Sequence, residues 1–167
     1  DDDYFTKMDA IHFSLSHDDG QEVETLHEAD IVIVGPSRTS KTPTCVYLSN
    51  KGIFAANIPI VHGIDLPEEL FTLGDDVFVI GLIISHGRLE QIRKSRLLSL
   101  NENSQTDYVD EEKILEEIKE ARKLYAKQGW HSIDVTRKSI EETSANILQL
   151  YNKFLEKKKN KNEEKNS

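Results

Sequence analysis

Apolar and polar positions follow two rhythms along this chain. Ile31-Val32-Ile33-Val34 and Val77 to Ile84 are dense apolar runs with no charged residue. Runs of that kind suit strands buried on both faces of a parallel sheet. Ile53 to Val61 predicts a further strand, with Pro59 near its end, and Ile133-Asp134-Val135 a short one. Elsewhere the apolar spacing changes to three and four. Phe5, Met8, Ile11 (or His12) and Leu15 predict an amphipathic helix that ends near His17-Asp18-Asp19-Gly20. Thr44 to Asn50 predicts a helix closed by Lys51-Gly52, a cation and a glycine where a C-terminus favours both. Leu66 to Phe71 reads as a short helix and Arg88 to Leu100 as a longer one. Ile114, Ile118, Ala121 and Tyr125 form one stripe of a helix from Asp110 to Gln128, ended by Gly129. The last helix runs from Ser139 to about Leu155, with Ile140, Ile147, Leu150, Tyr151 and Phe154 inward; Ser139 and Glu142 make a capping box. Strands alternating with helices predict an α/β fold of the P-loop type, a mainly parallel sheet flanked by helices.

Composition divides the chain. Residues 1–20 form the N-terminal helix and its turn, residues 21–156 a kinase-like domain, and residues 157–167 a Lys/Asn/Glu tail without an apolar residue. Such a tail is expected to be disordered. Asn101 to Asp107 is polar and reads as a loop or lid. The net charge of −9 excludes general nucleic-acid binding. Local binding of phosphates survives it, because oriented backbone dipoles do that work. Cys45 is the one cysteine, so no intramolecular disulfide forms; a reducing, cytoplasmic setting is expected. The six histidines lack the spacing of a zinc site. The longest apolar run is too short to span a membrane, and no signal peptide is visible. The chain starts at Asp1 rather than Met, as a processed chain or a piece of a longer one does.

The chemistry concentrates after the first apolar run. Gly35-Pro36-Ser37-Arg38-Thr39-Ser40-Lys41-Thr42 fits the phosphate-loop pattern Gly-x-x-x-x-Gly-Lys-Ser/Thr except that Ser40 replaces the second glycine. Backbone N–H groups and a helix N-terminus would hold anionic oxygens, and Lys41 adds a point charge. Lys41 is placed on the transferring phosphates, Thr42 on phosphate or Mg²⁺, and Arg38 on a second phosphate. His17-Asp18-Asp19-Gly20 offers two carboxylates, one of which could position a metal or accept a hydroxyl proton; the alternative is a solvated helix cap. Arg88, Arg93 and Arg96 share a helix, and Arg93 with Arg96 can share a face. They read either as a charge clamp on phosphate or as a solvated face. The strand, turn and capped helix from Ile133 to Thr143 serve structure alone, or resemble the segment of small-metabolite P-loop kinases that packs beside the nucleotide base.

Together these stretches resemble one family: the bifunctional regulatory proteins of pyruvate, phosphate dikinase and their relatives that regulate phosphoenolpyruvate synthase. The likeness is carried by Tyr4-Phe5 through Ala10-Ile11, His17-Asp18-Asp19-Gly20, Ala29 to Val32, Ser37 to Pro43, Ala56 to Val61, Leu66-Pro67, Leu89 to Arg96, Tyr108-Val109, Ile133 to Thr136 and Ile140 to Thr143. Ser-Arg-Thr-Ser-Lys-Thr-Pro is narrower than a generic phosphate loop, and serine at position 40 looks like the family's own variant. Pro36 departs from the family's small aliphatic residue and should stiffen the loop.

The resemblance implies a serine/threonine protein kinase that takes phosphate from ADP and inactivates the dikinase on a threonine. It also implies the reversal by phosphorolysis, in which inorganic phosphate attacks the phosphothreonine and pyrophosphate leaves. ADP, inorganic phosphate and Mg²⁺ are the implied small molecules. Lys41, Thr42 and Arg38 would bind phosphates, Asp18 or Asp19 would serve the hydroxyl, and Arg38 with Arg93 and Arg96 would hold free phosphate. Family members carry a further N-terminal region, and the full-length protein is expected to be a homodimer. A small-molecule P-loop kinase and a nucleotide-binding piece without catalysis are the other readings of the residues.

Overall fold

The computed structural model describes residues 2–100 and 110–166. Strands β1 (Ile31–Pro36), β2 (Ala55–Ile60), β3 (Phe78–Ile83) and β4 (His131–Asp134) form one parallel sheet in the order β2-β1-β3-β4. Helices α1 (Asp2–Ser16), α2 (Lys41–Ser49), α3 (His86–Ser99), α4 (Glu111–Gln128) and α5 (Ile140–Lys165) surround it. The α/β architecture read from the sequence is the one observed. The segment from Asn101 to Asp107 lies outside the described residues. Among the described residues no helix is long and apolar enough to cross a membrane.

The uninterrupted apolar run of β1 follows from cover on both faces. Val32 and Val34 pack with Ile114, Ile118, Ala121 and Tyr125 of α4. Ile31 and Ile33 pack on the other face with Cys45 and Leu48 of α2 and Ile147 of α5. Each buried aliphatic side chain contributes about 1.5–3 kcal/mol relative to exposure, so β1 is a rigid stem for the loop that follows it.

One contact crosses the middle of the sheet. The Tyr125 hydroxyl points at the carbonyls of Leu82 and Val34, 2.9 and 3.1 Å away. Gly81 makes room for its ring: a Cβ there would stand 2.4 Å from the Tyr125 ring carbons. Burial holds the phenol above its usual range.

Two expectations are corrected. The inward face of α1 is not Phe5, Met8, Ile11 and Leu15; Phe5 and Leu15 are 62% and 58% exposed. Ala10, Phe13, Ser14 and His17 are buried instead. The His17 ring stacks on Phe13 with centroids 3.7 Å apart, and Phe13 meets Phe54 at 5.1 Å. A histidine that reads as part of a polar turn therefore belongs to the packed face. The tail from Lys157 is also not irregular, because α5 continues to Lys165. Lys and Glu favour helix, and lengthening an existing helix carries no nucleation cost. Lys158 pairs with Asp76 along the way.

Candidate active site

The site forms where the strand order turns around β1. The chain moves from β1 to β2 on one side and then to β3 on the other. Loops leaving the carboxyl ends of β1 and β3 diverge there, which opens a crevice suited to a ligand. An open cleft of about 460 Å³ lies on the β2 side of this point, with Ser37, Arg38, Lys41 and Thr42 on one wall and Asp18, Asp19 and Asn57 on the other.

The loop wall is built against local preference. Arg38 and Ser40 take left-handed backbone angles, with φ 72° and 63°. Ser40 thus adopts the conformation that the absent glycine would take, at a cost of about 1–2 kcal/mol for a residue with a Cβ. Gly35 is close-packed: a Cβ there would stand 3.1 Å from Thr39 Oγ1. The Pro36 carbonyl is the hub of the loop. It accepts hydrogen bonds from Thr39 Oγ1 and from Lys41 Nζ, both at 2.8 Å. Lys41 is buried, and burial pulls its pKa down to about 8, with the Asp19 charge the largest force in the other direction. Lys41 begins α2, so its side chain and the first N–H groups of that helix face the cleft together.

The opposite wall is held from β2. Asp18 Oδ1 accepts from Thr42 Oγ1 at 2.6 Å and from Asn57 Nδ2 at 2.7 Å. Asn57 Oδ1 accepts from the Asp19 N–H at 3.1 Å, and the Asn57 N–H donates to the His17 carbonyl at 3.3 Å. One buried amide therefore orders the whole His-Asp-Asp-Gly turn. His17 is locked in turn: Nδ1 lies 2.9 Å from the Phe13 carbonyl and Nε2 2.6 Å from Thr25 Oγ1. Ser16 Oγ lies 3.0 Å from the same Nδ1. Asp19 sits at φ 54° with an exposed side chain. The tetrapeptide thus ends α1 and also presents its carboxylates to the loop.

The arginines divide. Arg93 is 1% exposed. Its Nη2 donates to Glu117 Oε2 at 2.8 Å and to the Ser37 carbonyl at 3.3 Å. It is neither a solvated residue nor an open clamp; it braces the loop after β1 from behind, tying α3 and α4 to it. Arg96 is exposed on α3 and lines neither cavity beside the loop, so the expected Arg93/Arg96 pair is not brought together on the cleft. One helical turn separates their chemistry, because the face holding Arg93 is the one pressed against α4. Arg88 lines a second cavity of about 110 Å³ on the far side of the loop, with Thr136 and Lys138.

Sequence reading missed Asn57 and Glu117. Asn57 leaves a trace, a lone amide inside the apolar strand Ala55–Ile60. Glu117 leaves none, since its partner lies 24 positions away. Mg²⁺ fits the oxygens present. Thr42 Oγ1 and Asp18 Oδ1 are hard ligands side by side at the start of α2, and Mg²⁺ is commonly held by one or two protein oxygens with substrate phosphates and water completing its shell. Among the described residues no group of three His, Cys, Asp or Glu could hold a metal by itself.

Comparison with known proteins gives the family. Residues 1–148 match the family described as Kinase/pyrophosphorylase. The chain is 53% identical over 151 residues to a Hyphomonas neptunium protein named "Putative pyruvate, phosphate dikinase regulatory protein", covering 90% of this chain and 54% of that one. Proteins of the same name from Caulobacter vibrioides and Paramagnetospirillum magneticum are 50% and 49% identical, over 89% and 95% of this chain and 47% and 50% of theirs. The chain spans about half the length of the curated relatives it matches. With residues 1–148 matched, the chain belongs to the Kinase/pyrophosphorylase family.

Proposed function

We propose that this chain carries the phosphoryl-transfer site of a bifunctional regulator of pyruvate, phosphate dikinase, an ADP-dependent serine/threonine kinase and phosphate-dependent pyrophosphorylase. The observation that carries the reading is the meeting of two separate segments at Thr42 and Asp18, with Lys41 beside them. A phosphate-binding loop alone makes a nucleotide site. A pair of carboxylates opposite its lysine, one held and one free, makes a site where a hydroxyl can be activated against a bound phosphate.

In the forward direction the threonine oxygen attacks the β-phosphorus of ADP. The bond from that phosphorus to the bridging oxygen breaks, AMP leaves, and the threonine proton passes to a carboxylate. Asp19 suits that task better than Asp18, because Asp18 Oδ1 is already engaged by Thr42 and Asn57 while Asp19 uses only its backbone N–H. Lys41 and the first N–H groups of α2 stabilise charge on the transferring oxygens. Mg²⁺, held by Thr42 and Asp18, would neutralise phosphate charge. In the reverse direction an oxygen of inorganic phosphate attacks the phosphothreonine phosphorus, the threonine oxygen leaves and takes back a proton, and pyrophosphate is released. Arg38, on the loop, is the added cation for free phosphate. Arg93 acts through the loop rather than on the phosphate.

The test is phosphotransfer from ADP labelled at the β-phosphate to purified dikinase, with this chain and with a version extended to the length of its relatives. Label on a dikinase threonine together with AMP release is expected, and Lys41→Ala should abolish both along with ADP binding. Transfer from ATP alone, or label found only on a small metabolite, defeats the reading.

A further inference from the structure

The end of the sheet opposite the cleft carries an open trough of about 410 Å³. It lies where β3 and β4 begin, at Phe78 and His131, and the length of β3 sets it about 20 Å from the carboxyl ends of the strands. Four rings shape it. Phe71 and Trp130 stack with centroids 6.0 Å apart, and Phe154 of α5 meets Phe78 at 5.2 Å. Phe71 stays 43% exposed in spite of its stacking. At Gly74 and Gly129, which also line the trough, the backbone stands open, with no atom within 4 Å of where a Cβ would be. Lys153 and Lys157 stand one turn apart on α5, and both are exposed on one wall. Among the described residues neither has an ion-pair partner, whereas Lys158 beside them is joined to Asp76. Asp75 is the one carboxylate among the described residues of the lining.

Such a surface has a definite complement. Unpaired ammonium groups draw carboxylates, and they stand out in a chain of net charge −9. The rings take an aromatic or large apolar side chain. Open backbone offers hydrogen bonds to another backbone. A trough that mixes polar and apolar surface in this way fits an extended acidic segment better than a small apolar molecule. Its lysine wall lies beyond residues 1–148, the stretch matched to the family, so nothing in that match assigns it. Resting on the protein-kinase reading above, we propose that the trough docks an acidic segment of the protein substrate that carries an aromatic or large apolar anchor. The anchor enters between Phe71, Trp130 and Phe154, and the carboxylates meet Lys153 and Lys157. The contact touches no reacting atom. It raises the effective concentration of the acceptor threonine at the other end of the sheet, and so selects the substrate without altering the transfer step.

The experiment measures binding of purified dikinase to this chain. It also measures phosphoryl transfer from ADP to whole dikinase and to a short peptide holding only the acceptor threonine. The parent is compared with the double variant Lys153→Glu, Lys157→Glu and with Phe71→Ala, all exposed positions; melting curves and ADP titrations check fold and cleft. Dikinase affinity should fall about tenfold or more in both variants, and the KM for whole dikinase should rise to match. ADP affinity, kcat and the rate on the short peptide should stay within about twofold. The charge-reversal effect should shrink in about 0.5 M salt, and the Phe71→Ala effect should persist. Dikinase affinity unchanged in both variants overturns the proposal, as does a parent that does not bind dikinase. Equal loss on the short peptide would make the trough part of the transfer site and overturn it too, and a loss of self-association instead would give the trough to a second copy. Dikinase binding that depends on these residues, without transfer from ADP, upholds the docking surface and defeats the kinase reading. Transfer from ADP with the KM unmoved does the reverse.

Discussion

Two neighbouring parts of the sheet treat conformational strain in opposite ways. Where α4 crosses β3, Gly81 leaves a space and Tyr125 fills it, and the phenol adds its hydroxyl to two strand carbonyls. The packing there favours the fold. One strand away, the loop after β1 holds Arg38 and Ser40 in left-handed backbone and buries the Lys41 charge. Those choices oppose it, and the bonds of Thr39 and Lys41 to the Pro36 carbonyl hold them in place. The difference separates residues selected to hold the molecule together from residues held in place by the rest of the molecule, which is where function is expected.

The largest expected break is on the favourable side. Gly81→Ala forces a methyl into the Tyr125 ring, and neither the strand nor α4 can retreat without opening the core. A loss of about 3 kcal/mol is expected, a fall of about 10 °C in the thermal midpoint. A midpoint within about 2 °C of the parent would show that α4 is not packed as described.

The second change reverses the sign. Lys41→Met removes a buried charge, and the Pro36 carbonyl still accepts from Thr39. The lysine has a folded pKa of about 8, against 10.5 for a lysine in an open chain. The folded protein therefore binds fewer protons than the unfolded chain between those values, and the parent gains stability as pH rises through that window. Below about pH 8 the penalty is fully present. The variant should be about 2 kcal/mol more stable than the parent at pH 7, the gap closing towards pH 10. Denaturant midpoints at both pH values measure it; a gap that widens with pH contradicts the sign.

The smallest change is Ser40→Gly, which restores the glycine of the generic loop. Relief of the left-handed strain is partly cancelled by the freer unfolded chain, leaving a gain of about 0.5 kcal/mol. ADP affinity should change by less than about threefold, because the backbone already has the glycine conformation. A large loss of affinity would mean that the serine hydroxyl itself is used.

Much of this is legible in the sequence because the signals are local. Ile31 to Val34, the loop to Thr42 and the stripe of Ile114, Ile118, Ala121 and Tyr125 each announce themselves within a few residues. The capping box at Ser139 is observed with both of its hydrogen bonds. What fails depends on distant partners. His17 is inward because Phe13 and Thr25 receive it, and Arg93 is buried because Glu117 answers its charge. Neither partner is visible from spacing. Asn57 stands inside the Ala56 to Val61 motif, but only its bonds to Asp18 and Asp19 give it a task.

Strand β2 lies at one margin of the described sheet. An unpaired margin invites a second chain to add itself there, and proteins protect such margins with cover or with proline. Pro59 supplies part of that protection, and the carbonyl of His17 takes up the outward N–H of Asn57. The segment that presents the two carboxylates therefore also shields the sheet. Loosening it, by a change at Asn57 or Thr25, would lay open a sticky edge as it dissolved the acidic wall of the cleft. Self-association and loss of activity would then share one origin.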